Sequence, residues 1–426
     1  MEESRKIVPL EKMIEMASRK PFFSKEEEWR STKTVTFDYD IMKSQEPFMQ
    51  PGARNIRGIV YNVETGEIIA LPFFKFFEYQ ENNFANPQIM HSWEIENVYP
   101  KIDGTLIYFA LDHKGNACPR TRGGWNNRHT EYAYSILSRN PEIEKLARVF
   151  LEKKETPMFE MVTLSDRHVV DYDFNELVFL GSRSMETGKI SSPTTKMLES
   201  LNRNHGIDVS KIAATLPLDV MDIVCDELKK TASEYPLATL VTMLRHAECY
   251  RERDDVAEGF VVHFKNGEMV KLKYPQYIKL HKIANDLRNE TKIAELIIRG
   301  STDRIQEMVD ESKRDQATEV FLESMIKSVK DVAREKDREL DKARMFSFAN
   351  FSMNKGYFVN AAQKKFGEEI WKYRYAVAIF DDIRQNSGHK VKVTKFMESL
   401  RRTFIREKWW RKSEHYRPFR WDEYDM

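Results

Sequence analysis

Cysteine is scarce. The 426 residues hold three, Cys118, Cys225 and Cys249, none in a C-x-x-C or other metal-ligating spacing. So odd and sparse a set excludes a disulfide scaffold and a cysteine-built zinc site, and it points to a reducing compartment. An excess of one charge is also missing. Sixty-eight Lys and Arg against 67 Asp and Glu leave a net charge of +1, so no overall field gathers polyanions and any nucleic-acid surface must be a local patch. No apolar run approaches the roughly 18 residues of a membrane span. The opening MEESRKIVPLEKMIEMASRK is charged throughout and lacks the apolar region of a signal peptide. The expectation is a cytoplasmic protein with no membrane partner. There is no internal repeat and no low-complexity tract.

What is present is a globular composition, 41% hydrophobic and 32% charged, in a chain long enough for two or three domains. Residues 1–30 read as a short amphipathic helix and a polar link. From about residue 35 the texture is strand-like. "IRGIVYNVETGEIIALPFFKFF" (56–77) is two apolar runs around a turn at 64–67, and "GTLIYFALDHKGNACP" turns at 114–116. "PMFEMVTL", "HVVDY" and "ELVFLGSRS" continue as strands. Residues 190–250 are more helical, with "VMDIVCDELKKT" the clearest segment. "AEGFVVHFKNGEMVKLKY" (257–274) then places Asn266-Gly267 between two alternating runs, a strong hairpin signal. Beyond 280 the period becomes helical, as in Leu322, Met325, Val329 and Val332 and in "EEIWKYRYAVAIFDDI", and proline is absent until Pro418. A mixed α/β (α+β) domain over 1–282 and an all-helical domain over 283–426 are expected.

Several charged residues sit where a core strand would not place them. Lys101 stands between two apolar runs in "YPKIDGTLIYF", either as a solvated strand-end lysine or as a nucleophile. If Asn266-Gly267 is a two-residue turn, Phe260 faces Lys273 and Val262 faces Lys271. Glu258, Lys271 and Lys273 then share one side of the hairpin with Phe260 and Val262, as a cross-strand ion pair or as a polyphosphate site. Lys75 in "FFKFF" either snorkels from a core strand or meets an anion. Glu160 in "MFEMV" is a carboxylate in an apolar strand that needs a partner. Arg57 precedes a glycine at a strand start.

In chain order these segments read RGIVYN, FFKFF, KIDG, TRGGW, FEM, EGFVV and KLK. The set resembles the covalent nucleotidyltransferase superfamily of ATP-dependent ligases and capping enzymes, and within it the phage RNA ligase 1 family of T-even tRNA-repair type. Lys101, Glu160, Glu258 and Lys271 follow one another at intervals of 59, 98 and 13 residues, which fit that family. The likeness covers roughly 50–282. It implies a nucleotidyltransferase core of mainly antiparallel sheets, followed by an all-α C-terminal domain that recognises RNA.

The resemblance also implies roles. Lys101 would take AMP from ATP, with Asp103 and Gly104 in its loop. Arg57 and Lys75 would contact the nucleotide and its phosphates, and Glu160 the sugar. Glu258 would serve metal and lysine placement, and Lys271 and Lys273 would face the α-phosphate. Tyr277 falls where the family has a tyrosine and is taken with the metal set, as is Asp303. Arg122 stands where the family often has a lysine, and its planar fork replaces a point charge. Magnesium, with manganese as a substitute, suits carboxylates and phosphate oxygens. The implied partner is RNA with 5′-phosphate and 3′-hydroxyl ends, nicked tRNA among the candidates, sealed by a monomer in the cytoplasm, a host's if the gene is phage-borne.

Two other readings stand beside this one. DNA ligases and capping enzymes usually follow the same core with an OB barrel, which needs several short strands. A relict core in a non-catalytic RNA-binding protein would show degraded motifs. The tail "RRTFIREKWWRK" (401–412) has six basic residues and one acidic. It is either an RNA-contacting segment that stacks bases on Trp409 and Trp410 or a basic helix with its tryptophans packed inward. Asp303 is equally a helix-start acid.

Overall fold

The computed structural model describes residues 2–40, 46–164, 169–170, 172–246, 257–311, 316–384 and 391–417. Cys249 and Pro418 lie outside them. The chain forms two compact units, Met1–Lys279 and Leu280–Met426.

The first unit carries three sheets. The first has the order β1 (Phe22–Trp29), β2 (Thr32–Tyr39), β3 (Ile59–Asn62), β4 (Ile68–Ala70). The third sheet has the order β5 (Phe77–Glu78), β13 (Met269–Lys273), β12 (Gly259–Phe264), β6 (Ile95–Lys101). The second has the order β11 (Ile190–Ser191), β10 (Glu176–Ser184), β9 (Glu155–Val162), β7 (Thr105–Leu111), β8 (Ala117–Arg120). Pairing is antiparallel except between β5 and β13. The helices of this unit are α1 (Leu10–Ala17), α2 (Pro87–Met90), α3 (Arg128–Arg139), α4 (Pro141–Glu152), α5 (Thr195–His205), α6 (Val220–Ile223), α7 (Lys229–Glu234) and α8 (Pro236–Arg245). α9 (Pro275–Leu287) crosses into the second unit.

The turns at 64–67 and 114–116 join paired strands, as their sequences predict, and β12 and β13 pair across a turn as well. Four local expectations fail. Residues 22–29 are not a polar link but the edge strand β1, with only Phe22 and Trp29 buried along it. A charged edge strand resists pairing with another chain, and its sequence therefore does not look like a strand. "HVVDY" forms no strand at 169–170 or 172, and its other residues lie outside the described ones. "VMDIVCDELKKT" breaks into α6 and α7, because Val224 and Cys225 turn extended and Val224 enters the core.

The fourth failure matters most. The β12–β13 turn has three residues, not two: Phe264 N–H donates to Glu268 O, and Gly267 takes φ +77°, the left-handed residue such a loop requires. The register moves by one, pairing Gly259 with Lys273, Val261 with Lys271 and His263 with Met269. A one-residue slip reverses which face every side chain shares. Phe260, Val262, Val270 and Leu272 turn inward to a core shared with Leu240 and Met243 of α8. Each large buried apolar side chain contributes about 1.5–3 kcal/mol, so this face fixes the other.

The second unit is helical throughout its described residues: α10 (Glu290–Ile298), α11 (Thr302–Glu311), α12 (Gln316–Ala349), α13 (Lys355–Phe366), α14 (Ile370–Arg384) and α15 (Val391–Arg406). Leu322, Met325, Val329 and Val332 form one buried stripe on α12. Among the described residues no helix is long and apolar enough to cross a membrane.

Candidate active site

Strands β6 and β7 are consecutive in the chain yet do not pair. β6 joins β12 in the third sheet and β7 joins β8 and β9 in the second. "KIDG" is therefore not a hairpin turn. It is the step by which the chain leaves one sheet for the other, and Lys101 stands at that step. Gly104 lets β7 come close to β9, because a Cβ there would lie 2.3 Å from Met161 O.

Three rows of side-chain positions cross the third sheet. Lys273, Gly259 and Lys101 form the first, Lys271, Val261 and Tyr99 the second, and Met269, His263 and Asn97 the third. Gly259 sits between two lysines with φ +140°, and a Cβ there would meet Leu272 O at 1.9 Å, so only glycine fits. Both lysines close on the preceding residue: Lys101 Nζ donates to Glu258 Oε2 at 2.6 Å, and Lys273 Nζ lies 2.8 Å from Oε1. The Glu258 side chain is only 3% exposed, and the two cations offset the cost of burying its charge.

A cavity of about 390 Å³ opens beside this junction. Arg57, Lys101, Arg122, Glu160 and Lys271 supply its charge, and Phe73, Phe76, Tyr99, Leu106, Leu180, Val261 and Met269 much of its apolar wall. Lys271 is over the Phe76 ring, 4.7 Å from its centroid. Burial, then the charges of Arg57, Lys101, Lys75 and Lys273, hold Lys271 well below the ordinary lysine range. Burial and then Arg122 also lower Arg57. Among the described residues Lys271 and Arg57 make no ion pair, and cations pressed together in this way are arranged for an anion.

Glu160 pairs with Leu106 and Val178 in mid-sheet. Burial pushes its carboxyl up to about 7, against the pull of Lys101. Among the described residues no hydrogen-bond donor reaches it. Arg122 forks onto Asp38, Nε to Oδ2 at 3.0 Å and Nη2 to Oδ1 at 2.6 Å, and stacks over Tyr39. Burial lowers Arg122, but these bonds outweigh it and its net shift is upward.

Lys75 is not on a strand and does not line the cavity. Its backbone is pinned by Arg54, whose carbonyl accepts Lys75 N–H and whose Nε donates to Lys75 O, both at 2.7 Å. Its ammonium lies over the Phe77 and Tyr39 rings, close enough to help lower Lys271.

Tyr277 does not occupy an open ligand position. Its hydroxyl donates to Asp103 Oδ1 at 2.7 Å, its side chain is buried, and burial followed by Glu258 and Asp103 raises its pKa. A tyrosine kept neutral is a poor metal ligand. Asp103 Oδ2 accepts the N–H groups of Val169 and Val170, and Asp103 N–H donates to Tyr172 Oη. Asp103 thus ties α9 and residues Val169, Val170 and Tyr172 to the Lys101 loop. Asp303 lies in the second unit, exposed in the first turn of α11, where a helix-start acid belongs.

Among the described residues no three His, Cys, Asp or Glu side chains form a metal-holding group. Both Glu258 oxygens already carry lysines, and Glu160, the carboxylate on the cavity wall, accepts no hydrogen bond among the described residues. That donor set fits magnesium, which uses one or two carboxylates and takes its other ligands from phosphates and water.

Trp410 is fully buried and Trp409 partly so, both packed near Phe404. The inward-packed reading of the tail holds for these rings. Asp38, Arg54, Tyr172 and His263 are site or supporting residues that no motif marks, since each acts through a contact distant in sequence.

A family model described as RNA ligase matches residues 55–277. The "Putative RNA ligase" of Thermovibrio ammonificans is 26% identical over 267 residues, 61% of this chain and 62% of that protein. RNA ligase 1 of bacteriophage TS2126 is 31% identical over 108 residues, 24% of this chain and 26% of that one. The chain thus spans less than two thirds of either relative. An archaeal ATP-dependent RNA ligase structure aligns over 77% of each chain at 15% identity, with a TM-score of 0.41.

Proposed function

The chain belongs to the RNA ligase family, and on that premise we propose that it is an ATP-dependent RNA ligase with Lys101 as its nucleophile. The observation that carries this is the placement of Lys101 on the wall of the cavity that Lys271, Arg57 and Glu160 also line, with its Nζ against Glu258.

Lys101 Nζ passes a proton to the Glu258 carboxylate it touches and, with the lone pair so freed, attacks the α-phosphorus of ATP. A P–N bond forms, the bond to the bridging oxygen breaks, and pyrophosphate leaves. Glu258 holds the amine in line. Lys271 and Arg57, which make no ion pair among the described residues, take up the charge that develops on the phosphate. Glu160 would hold the ribose or a magnesium ion, which when bound would neutralise phosphate charge. An RNA 5′-phosphate oxygen then takes the AMP from Lys101. A 3′-hydroxyl attacks that 5′-phosphorus, forms the phosphodiester and expels AMP.

The second unit is proposed to bind the RNA. Its described residues hold no strand, which disfavours the OB barrel of a DNA ligase or capping enzyme. The relict-core reading is disfavoured by the convergence of Lys101, Glu258 and Lys273. The test is sealing of a 5′-phosphorylated strand with ATP and magnesium. The proposal expects joined RNA and little joined DNA, and equal joining of DNA would overturn the substrate class.

A further inference from the structure

The three rows of the third sheet give the cavity a direction. Successive rows are about 7 Å apart, because two residues of a strand rise by that much. His263 therefore lies about two such steps, roughly 13 Å, from the row of Lys101 and Lys273. A purine nucleoside phosphate laid along β12 with its phosphorus at Lys101 places its ribose and base over Val261 and His263. Phe76, Leu106 and Met269 line the same space with apolar surface.

His263 is the one imidazole among the described residues on the cavity wall. Its Nδ1 lies 3.3 Å from Ser192 Oγ, and its ring leans on Tyr99 at 4.9 Å between centroids. Among the described residues Nε2 has no hydrogen-bond partner, so the ring is held by one edge and offers the other. Burial pushes this imidazole down to about 4, so it is neutral at physiological pH. A neutral imidazole has one donor and one acceptor nitrogen. It suits the edge of an uncharged base and is a poor site for a phosphate.

We propose that His263, braced by Ser192, reads the base of the nucleotide and is the residue that separates ATP from GTP. The inference rests on the nucleotide reading of the cavity and assigns its far end. Adenine and guanine present opposite donor and acceptor groups at their six-position. With Ser192 Oγ taken as the acceptor from Nδ1–H, Nε2 is left to accept from the adenine amino group and is unpaired against the guanine oxygen.

The experiment is covalent self-labelling with ATP or GTP across a concentration series, for the wild type, His263→Leu, His263→Gln and Ser192→Ala. The wild type should prefer ATP. His263→Leu should raise the ATP concentration for half-maximal labelling about tenfold or more, with a smaller fall in the rate at saturation, and should narrow the ATP-to-GTP preference by a similar factor. His263→Gln, whose amide reaches near the position of Nε2, should recover part of both. Ser192→Ala, which loosens the brace while keeping the ring, should shift both by a few-fold, and it decides the matter if His263→Leu does not fold. Unchanged half-saturation and preference in folded His263→Leu and Ser192→Ala would overturn the inference. A wild type labelled by neither nucleotide would instead overturn the nucleotide reading itself.

Discussion

Lys101 and Glu258 are 157 residues apart in the chain, yet Lys101 Nζ lies 2.6 Å from Glu258 Oε2. The other oxygen of the same carboxylate takes Lys273 at 2.8 Å. One buried acid, just ahead of β12, thus fixes two lysines on the two strands that flank β12.

Glu258→Gln should loosen both lysines at once. Removing one member of a buried charged cluster leaves uncompensated charge. A loss of about 1–3 kcal/mol is expected, read from the urea midpoint, together with a fall of at least about a hundredfold in the adenylylation rate. A variant with wild-type stability and rate would show that the carboxylate neither braces nor orients Lys101.

Gly259→Ala should fail for steric reasons. Its Cβ would lie 1.9 Å from Leu272 O at φ +140°, so β12 and β13 must part where the three charged side chains meet. A loss above about 3 kcal/mol is expected, measured by thermal melting. A mild effect would contradict the register.

Glu160 makes stability depend on pH. Its carboxyl titrates at about 7 in the folded chain, against 4.5 for an ordinary glutamate. Between these values the folded state binds the extra proton, so this contribution is fully present below about pH 4.5 and lost as pH rises to 7. The difference is worth about 3 kcal/mol. Glu160→Gln should remove this part of the slope when urea midpoints at pH 5 and 7.5 are compared with the wild type. An identical slope in both proteins would count against a buried, raised carboxyl.

Tyr277→Phe separates a metal ligand from a brace. Loss of the hydrogen bond to Asp103 should cost about 1–2 kcal/mol. The magnesium concentration for half-maximal adenylylation should not change. A marked rise in that concentration would restore Tyr277 to the metal set.

Charge reversal at Arg402, Arg406 and Lys408 tests the second unit. RNA affinity and its salt dependence should both weaken while adenylylation persists. Arg402 and Arg406 are exposed, so folding should tolerate the change. Unchanged RNA binding would remove the tail from the proposed surface.

The sequence made the order of the charged residues legible, together with the hairpins at 64–67 and 114–116 and the helical stripe of α12. These are local patterns, carried by period and turn residues. It did not reveal which face Lys271 and Lys273 share. One residue of loop length at 265–267 decides that, and Asn-Gly suits the shorter loop equally well. Nor did it reveal Asp38 under Arg122, Arg54 behind Lys75 or Tyr172 on Asp103, because such pairs meet only through tertiary packing of segments distant in the chain. The edge strand β1 was hidden by its own solvent-facing charges. The tryptophans of the tail fitted both solvent and core, and core packing claimed them.

The central claim is that Lys101 is the residue that takes AMP. Incubation with ATP and magnesium, followed by intact-mass measurement and peptide mapping, tests it directly. The account predicts a gain of one AMP, acid-labile as a P–N bond should be, on the peptide containing Lys101, and none in Lys101→Ala. An adenylate on another residue, or one that survives in Lys101→Ala, would contradict it.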